Sequence, residues 1–372
     1  MAKIRVGIIR CDLHAIYYGC LFQKHDPHLL RKPELGCGGY FYHYTQYNNT
    51  KEMTVPKVAG LEIAKVWDAD RRRAENLARI FYGKPEVCDT FEEISDDVDL
   101  VFIADCDGDG TDHLALATPG LRKKTPTFVD KPFAYDVKDA VALVKLAKRY
   151  GTPLMSLSIL REVPHFSRFR DRFQELDEPE FGIVKGGLTT MAGHIHAISL
   201  AQHLFGSGVE TVSCMGQTPL AYVHLDFGGK AHRPHAGVVL NCACGGTPHC
   251  AMYASAYSGR GAVHSPAIGD FEFPYGAAKI LEKIKKMVRT GKPQACHDEM
   301  VECIAIATAA RLAQKRGKPV RLTDVHGKKA RCLVTRPGIN AEKYNRHRRT
   351  SLGGEETLNN PIVSCIGPTQ TG

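Results

Sequence analysis

Two clusters of side chains in this sequence have residue types and spacing suited to chemistry. The run TFVDKPFAYD at 127–136 closes a β-branched and aromatic stretch with Asp130, Lys131 and Pro132. Proline cannot donate to a ladder and restricts the residue before it to extended geometry. Lys131 is therefore held at a strand end with few conformations open to it. An ammonium there is either a surface charge or the group that polarises a ligand oxygen. The segment GHIHAISLAQHLFG at 193–206 supplies the imidazoles of His194, His196 and His203. His196 and His203, seven residues apart, share one helix face, and His194 points elsewhere. An imidazole titrates near neutrality and can move a proton, which suits His196; His203 either joins it at a cleft or packs in a core. No metal is expected. The histidine helix lacks the i, i+4 pairing and neighbouring glutamate of zinc helices. Cys242 and Cys244 in NCACGGTPHC (241–250) read as small apolar strand residues, followed by His249 and Cys250.

These groups need elements to position them. KIRVGII (3–9), LEIAKVWD (61–68), VDLVFIAD (98–105), TPTFVD (125–130) and PLMSLSIL (153–160) read as strands. Helical patterns lie between them, at RRRAENLARIF, around His113 to Ala117, and from an Asp136 cap to a Gly151 stop. Strands alternating with helices demand parallel pairing and right-handed crossovers, giving an α/β, Rossmann-like doubly wound parallel sheet. From about residue 181 the pattern changes: strand-like segments recur at 182–189, 209–216, 220–227, 236–243, 250–257 and 261–265 with glycine-rich turns. They predict a C-terminal α+β domain with an open, mostly antiparallel sheet, a helix at 194–205 and a last helix at 299–317. The expected domains are 1–135, with an insertion at about 25–58, then 136–327, then a basic, loosely ordered extension at 328–372. Tyr40, Tyr42, Tyr44 and Tyr47 of the insertion either line a cleft or pack over the first domain.

Charge and composition exclude several classes. Of the net charge of +9, residues 328–372 carry +5, from eight Lys/Arg and three Asp/Glu. The remaining body is nearly balanced, which argues against a nucleic-acid binder. The cluster Arg346, His347, Arg348, Arg349 is either a contact for an acidic partner or a solvated tail. No apolar run reaches the length of a membrane span, and MAKIRVGII enters a strand directly, so no membrane partner is expected. Thirteen scattered cysteines without a CxxC pair read as reduced thiols of a cytoplasmic protein. A broad sheet with one open face suggests a homo-oligomer, dimer or tetramer.

The order of strand, turn, acid-terminated strand and Lys-Pro edge resembles the Gfo/Idh/MocA family of NAD(P)-dependent oxidoreductases over roughly residues 3–325. Asp68 in VWDADRRRAENLA matches the family's acid at the end of the second strand. DKP at 130–132 matches its Glu-Lys-Pro, and His196 its helix histidine when Leu200, Ala201 and Gly206 are aligned. The resemblance implies a dinucleotide-binding first domain and a dehydrogenase or reductase. It would transfer a hydride between NAD(P) and a hydroxyl or carbonyl of a small polyol, sugar or carbohydrate derivative. Lys131 would polarise the substrate oxygen, His196 would move the proton, and His203 would join them against the substrate. On the cofactor side stand Arg10, Asp12, His14, Asp68, His113, Asp130 and Lys131. Asp68 would accept ribose hydroxyls and repel a 2′-phosphate, favouring NAD over NADP, whereas Arg71, Arg72 and Arg73 offer a phosphate an alternative.

The sequence also departs from that pattern. GIIRCDLHAIYYG sets Arg10, Asp12 and Ala15 where the three glycines of a dinucleotide turn belong. A carboxylate about 4 Å from a diphosphate charge costs about 1 kcal/mol in water and several when partly buried. Arg10 or His14 would offset that by binding a phosphate oxygen. Ala192 and Ser199 replace acids that the family often carries beside the helix histidine. These departures support a second reading, a redox-inactive ligand-binding or regulatory homologue that has lost standard cofactor binding.

Overall fold

The apolar runs of the first half lack polar alternation because both faces of their sheet are covered. β1 (Ile4–Ile9), β2 (Leu61–Trp67), β3 (Glu86–Val87), β4 (Leu100–Ile103), β5 (Thr127–Val129) and β6 (Leu154–Met155) form an all-parallel sheet in the order β3-β2-β1-β4-β5-β6. The computed structural model describes residues 2–32, 54–106, 108–186, 191–216, 221–242, 252–269 and 271–325. The tyrosines at 40–47, Cys244, His249, Cys250 and the basic tail lie outside the described residues. Helices α1 (Leu13–Phe22), α2 (Arg71–Ile80), α3 (His113–Arg122) and α4 (Val137–Tyr150) link the strands. Strand order reverses between β1 and β4, so the crevice at their carboxyl ends is the expected ligand position of a doubly wound sheet. The sheet runs on past residue 135, through α4, to β6.

α1 is fixed over the sheet by aromatic packing. The Tyr18 ring lies 5.2 Å from that of Phe102 on β4 and 6.3 Å from that of Phe128 on β5, and these two rings are 4.8 Å apart. Each such pair contributes about 0.5–1.5 kcal/mol beyond its burial.

The second half begins with α5 (Pro164–Asp171), β7 (Phe181–Lys185), α6 (Met191–Phe205), β8 (Thr211–Met215), β9 (Tyr222–Asp226) and β10 (Val238–Asn241). It continues with β11 (Tyr253–Ser258), β12 (Gly261–His264), α7 (Phe273–Thr290), α8 (His297–Arg316) and β13 (Val320–Arg321). The second sheet has the order β12-β11-β7-β10-β9-β8-β13, antiparallel except for the β7–β10 pair. Burial alternates along β7 and β9, as expected of a sheet covered on one face. α6 lies on the covered face, where Gly182 leaves room for the Phe205 ring; a Cβ there would meet it at 2.5 Å.

Two local expectations change. Asp136 stands at the N-cap of α4 in extended geometry, yet its side chain makes no cap bond. Its carboxylate lies 3.7 Å from Arg311 of α8, whose charge competes with the helix amides. α7, with Phe273 and Tyr275 in its first turn, is a helix that the sequence patterns did not predict. Pro at the helix start suits that position, and Ile280, Leu281, Ile284 and Met287 join the core of β1, β2 and α1. Among the described residues no helix is long and apolar enough to cross a membrane.

The sheet fixes the crevice through close packing at β1. A Cβ at Gly7 would stand 2.4 Å from the Ile94 carbonyl oxygen. Gly7→Ala should therefore cost about 1–3 kcal/mol through overpacking, lowering the thermal midpoint by several degrees in calorimetry. An unchanged midpoint would contradict this packing.

Candidate active site

β5 ends at the crevice, and its pairing with β4 sets the backbone of the Asp-Lys-Pro edge. The Asp130 N–H donates to the Ile103 carbonyl at 2.9 Å, carrying β4–β5 pairing one residue further. Lys131 is only 5% exposed, and its Nζ donates to the Cys106 carbonyl at 2.6 Å. The Lys131–Pro132 peptide is cis. The Asp130 carboxylate turns toward α1, where its Oδ2 pairs with His14 Nδ1. The Asp105 N–H also reaches Oδ2, at 3.4 Å.

His196 comes from the other half of the molecule. It is partly exposed, and its Nδ1 lies 2.6 Å from Ser158 Oγ in the segment after β6. Burial, reinforced by the charges of Lys131 and His14, holds its pKa well below the ordinary histidine value. The lysine's charge thus reaches the imidazole, and the two side chains are linked through the cavity that Lys131 shares with Ser158. This cavity, of about 230 Å³, is also lined by Arg161, Ser199, His203 and Glu299. His203 Nε2 is buried without a hydrogen-bond partner among the described residues. Burial lowers this ring's pKa to about 4, with Arg161, Arg170 and Lys283 adding repulsion. His194, on a different face as expected, is fully buried, and burial pushes it to about 3.

The turn after β1 is built from charge instead of glycine. Arg10 has φ 68°, the left-handed conformation that glycine adopts freely. Its Nη1 lies 2.7 Å from Asp105 Oδ2, and its Nη2 pairs with Asp112. His113 Nε2 lies 3.1 Å from the same Asp105 oxygen. Burial alone would raise the Asp105 pKa, but Arg10 and His113 hold it well below the carboxylate range. Arg10 and His113, expected on the cofactor side, are joined by Asp105, an acid that sequence reasoning missed. Its signal was available: an arginine replacing a buried turn glycine needs a counter-charge, and ADCDGDGTDH follows β4. Ser158 was missed as well, and no feature of PLMSLSIL marked it.

Asp12 caps α1. Its Oδ1 accepts from His14 N at 2.9 Å and Ala15 N at 3.3 Å, and its Oδ2 from Cys106 N at 2.7 Å. Burial raises its pKa, partly countered by His14. Asp68 is buried at the end of β2, where its two oxygens accept from Cys11 N at 2.8 Å and Asp70 N at 2.9 Å. On the rim, Arg71 bonds Glu75 at 3.0 Å and pairs with Asp89, while Arg72 lies 3.5 Å from Asp70.

With this geometry established, likeness to known proteins carries weight. Residues 35–157 match the family model described as the Gfo/Idh/MocA oxidoreductase family, NAD-binding Rossmann fold. The likeness to that family lies in the parallel-sheet domain. The match begins beyond β1 and α1, the elements that carry Arg10, Asp12 and Ala15. An inositol 2-dehydrogenase from Mycolicibacterium smegmatis is 28% identical over 190 residues, covering 44% of this chain and 51% of that protein. The chain thus spans about half the length of the curated relatives it matches. A myo-inositol 2-dehydrogenase structure from Lactobacillus plantarum superimposes with TM-score 0.65 at 12% identity, covering 86% of this chain and 99% of that one. An oxidoreductase from Agrobacterium radiobacter, solved with NAD+, L-tartaric acid and magnesium, gives TM-score 0.63 at 16% identity over 87% of this chain and 99% of that one. At these identities the structural likeness establishes the fold.

The site fits the two ends of a dinucleotide better than its middle. Asp68 at the end of β2 would meet a ribose, and Lys131 at the end of β5 would meet the nicotinamide end. Between them the α1 amides that would meet a diphosphate already bind Asp12. Asp12→Asn keeps a capping oxygen and removes the charge. It should tighten NADH binding about fivefold or more, measured by fluorescence titration. Unchanged affinity would show that Asp12 does not compete with the diphosphate.

Proposed function

We propose that this chain is an NAD-dependent dehydrogenase that oxidises a hydroxyl of a small polyol or related carbohydrate, inositols being the first class to test. The observation that carries the reading is the cavity shared by Lys131 and Ser158, the serine that holds His196 from the other half of the molecule. The family of the first domain and the names of its relatives support the reaction class.

The bound nicotinamide would supply the hydride acceptor. The rest falls to the protein. Lys131 uses one N–H on Cys106, leaving two donors for a substrate oxygen as negative charge develops on it. Its burial keeps water from weakening that interaction. Ser158 fixes the His196 ring through Nδ1 and leaves Nε2 to face a hydroxyl. The low His196 pKa keeps the ring neutral across the working range, so it orients the substrate without adding a second cation beside Lys131. NAD is favoured over NADP because Asp68 would repel a 2′-phosphate and Arg71 is already paired. The exposed Met215, Tyr222 and Tyr253 on the outer face of the second sheet support self-association of the chain.

One observation favours the redox-inactive alternative: Asp12 occupies the helix amides, and Arg10 is bound by two acids. Titration with NADH separates the readings. Binding, together with reduction of NAD+ in the presence of myo-inositol or another polyol, supports the dehydrogenase; the absence of nucleotide binding supports the alternative. Lys131→Met should lower turnover at least 100-fold while leaving NADH affinity within about threefold. Unchanged turnover would exclude Lys131 from the reaction.

A further inference from the structure

We infer that His14, held by Asp130, is the group that takes the hydroxyl proton in this chain. The inference rests on the dehydrogenase reading and assigns a step that His196 is poorly placed to complete. Among the described residues the His196 imidazole is bonded to Ser158 and to no carboxylate. A proton placed on it would sit near Lys131 with nothing to balance the added charge. His14 has the opposite setting. Its Nδ1 is paired with the buried Asp130 carboxylate, and Nε2 has no hydrogen-bond partner among the described residues. A carboxylate behind Nδ1 fixes the tautomer, turns Nε2 outward as the accepting nitrogen and stabilises the imidazolium that forms.

The dyad is held by rigid elements. Asp130 is fixed by its N–H bond to Ile103. His14 lies one helical turn before Tyr18, whose ring meets it edge-on at 6.3 Å and is wedged against Phe102 and Phe128. The pair also lies beside the cation: the Asp105 N–H reaches Asp130 Oδ2 at 3.4 Å, and the carbonyl of the next residue, Cys106, accepts from Lys131 Nζ at 2.6 Å. A substrate oxygen on Lys131 Nζ is thus within the same crevice as His14.

Groups from every packed element face His14. Asp12 and Tyr18 come from α1 and its cap, Asp130 and Lys131 from the end of β5, Cys106 from the loop after β4, and His196 from α6. Burial opposes a charged ring and Lys131 repels it, but Cys106 and Asp130 outweigh both and hold its pKa well above the ordinary histidine value. In the oxidation direction the substrate O–H bond breaks and its proton forms an N–H bond at Nε2. The carbinol C–H bond breaks as its hydride passes to oxidised nicotinamide. The alcohol is oxidised, the nicotinamide is reduced, and the proton rests on His14 until solvent removes it.

His14 must be unprotonated to accept, so kcat/KM for myo-inositol oxidation with NAD+ should rise with pH through an inflection above the ordinary histidine value. His14→Gln should lower kcat/KM on the order of 100-fold and remove that inflection. Asp130→Asn removes the charge that stabilises imidazolium, so the inflection should move to lower pH. Histidine ¹⁵N chemical shifts, with the His14 signal assigned by its loss in the glutamine variant, should show the same downward displacement without any turnover. An inflection that survives His14→Gln and disappears in His196→Gln would overturn the assignment and leave the dehydrogenase reading intact. A His14 signal that does not move in Asp130→Asn would likewise overturn it. A wild-type protein that binds no nucleotide and turns over no polyol would overturn the underlying reading itself.

Discussion

The crevice depends on the neutralisation of buried charge where β1, β4 and β5 end. Arg10, Asp12, His14, Asp105, His113, Asp130 and Lys131 converge there, and each charged group is matched by a counter-charge, a helix amide or a carbonyl. Removing one member of such a buried pair costs about 3–5 kcal/mol, because the other is left uncompensated in a low dielectric. The arrangement is consequently self-enforcing: Asp105 fixes Arg10, Asp12 fixes the start of α1, and α1 carries His14 to Asp130. Lys131 sits at the edge of this network with two donors left to offer.

A glycine turn lets a phosphate supply the missing negative charge at a helix N-terminus. This chain supplies that charge itself through Asp12, and supplies backbone curvature through Arg10 in the left-handed region. The consequence is a crevice already charge-balanced before any ligand enters. A dinucleotide must then displace an intramolecular carboxylate, which lowers affinity without removing the contacts at either end. The same replacement places a histidine two residues after the cap, opposite the Lys-Pro edge. On the proposed reading, one change of the turn would alter both cofactor binding and proton handling.

Much of the fold was legible because its signals were local. Buried runs such as VDLVFIAD, the Gly151 and Gly317 stops and the change of periodicity near residue 181 each reported on backbone geometry. The pairing of Lys131 with His196 was proposed through family resemblance, since no periodicity relates a sheet edge to a helix in another layer. The partners of charged residues were less accessible. Asp136 answers Arg311 across 175 positions of sequence, Ser158 meets His196 across 38, and His14 meets Asp130 across 116. α7 went unread because Pro274 and Gly276 interrupt its start, whereas its later residues fill the first core.

The central claim is that one crevice holds the cation, the imidazoles and the dinucleotide together. A crystal structure obtained with NADH and myo-inositol tests it most directly. The account predicts dinucleotide across the carboxyl ends of β1 and β4, with Asp12 displaced from the α1 amides. It also predicts a polyol oxygen within hydrogen-bond distance of both Lys131 Nζ and His14 Nε2. Asp12 still capping α1, with the polyol bound away from Lys131, would contradict it.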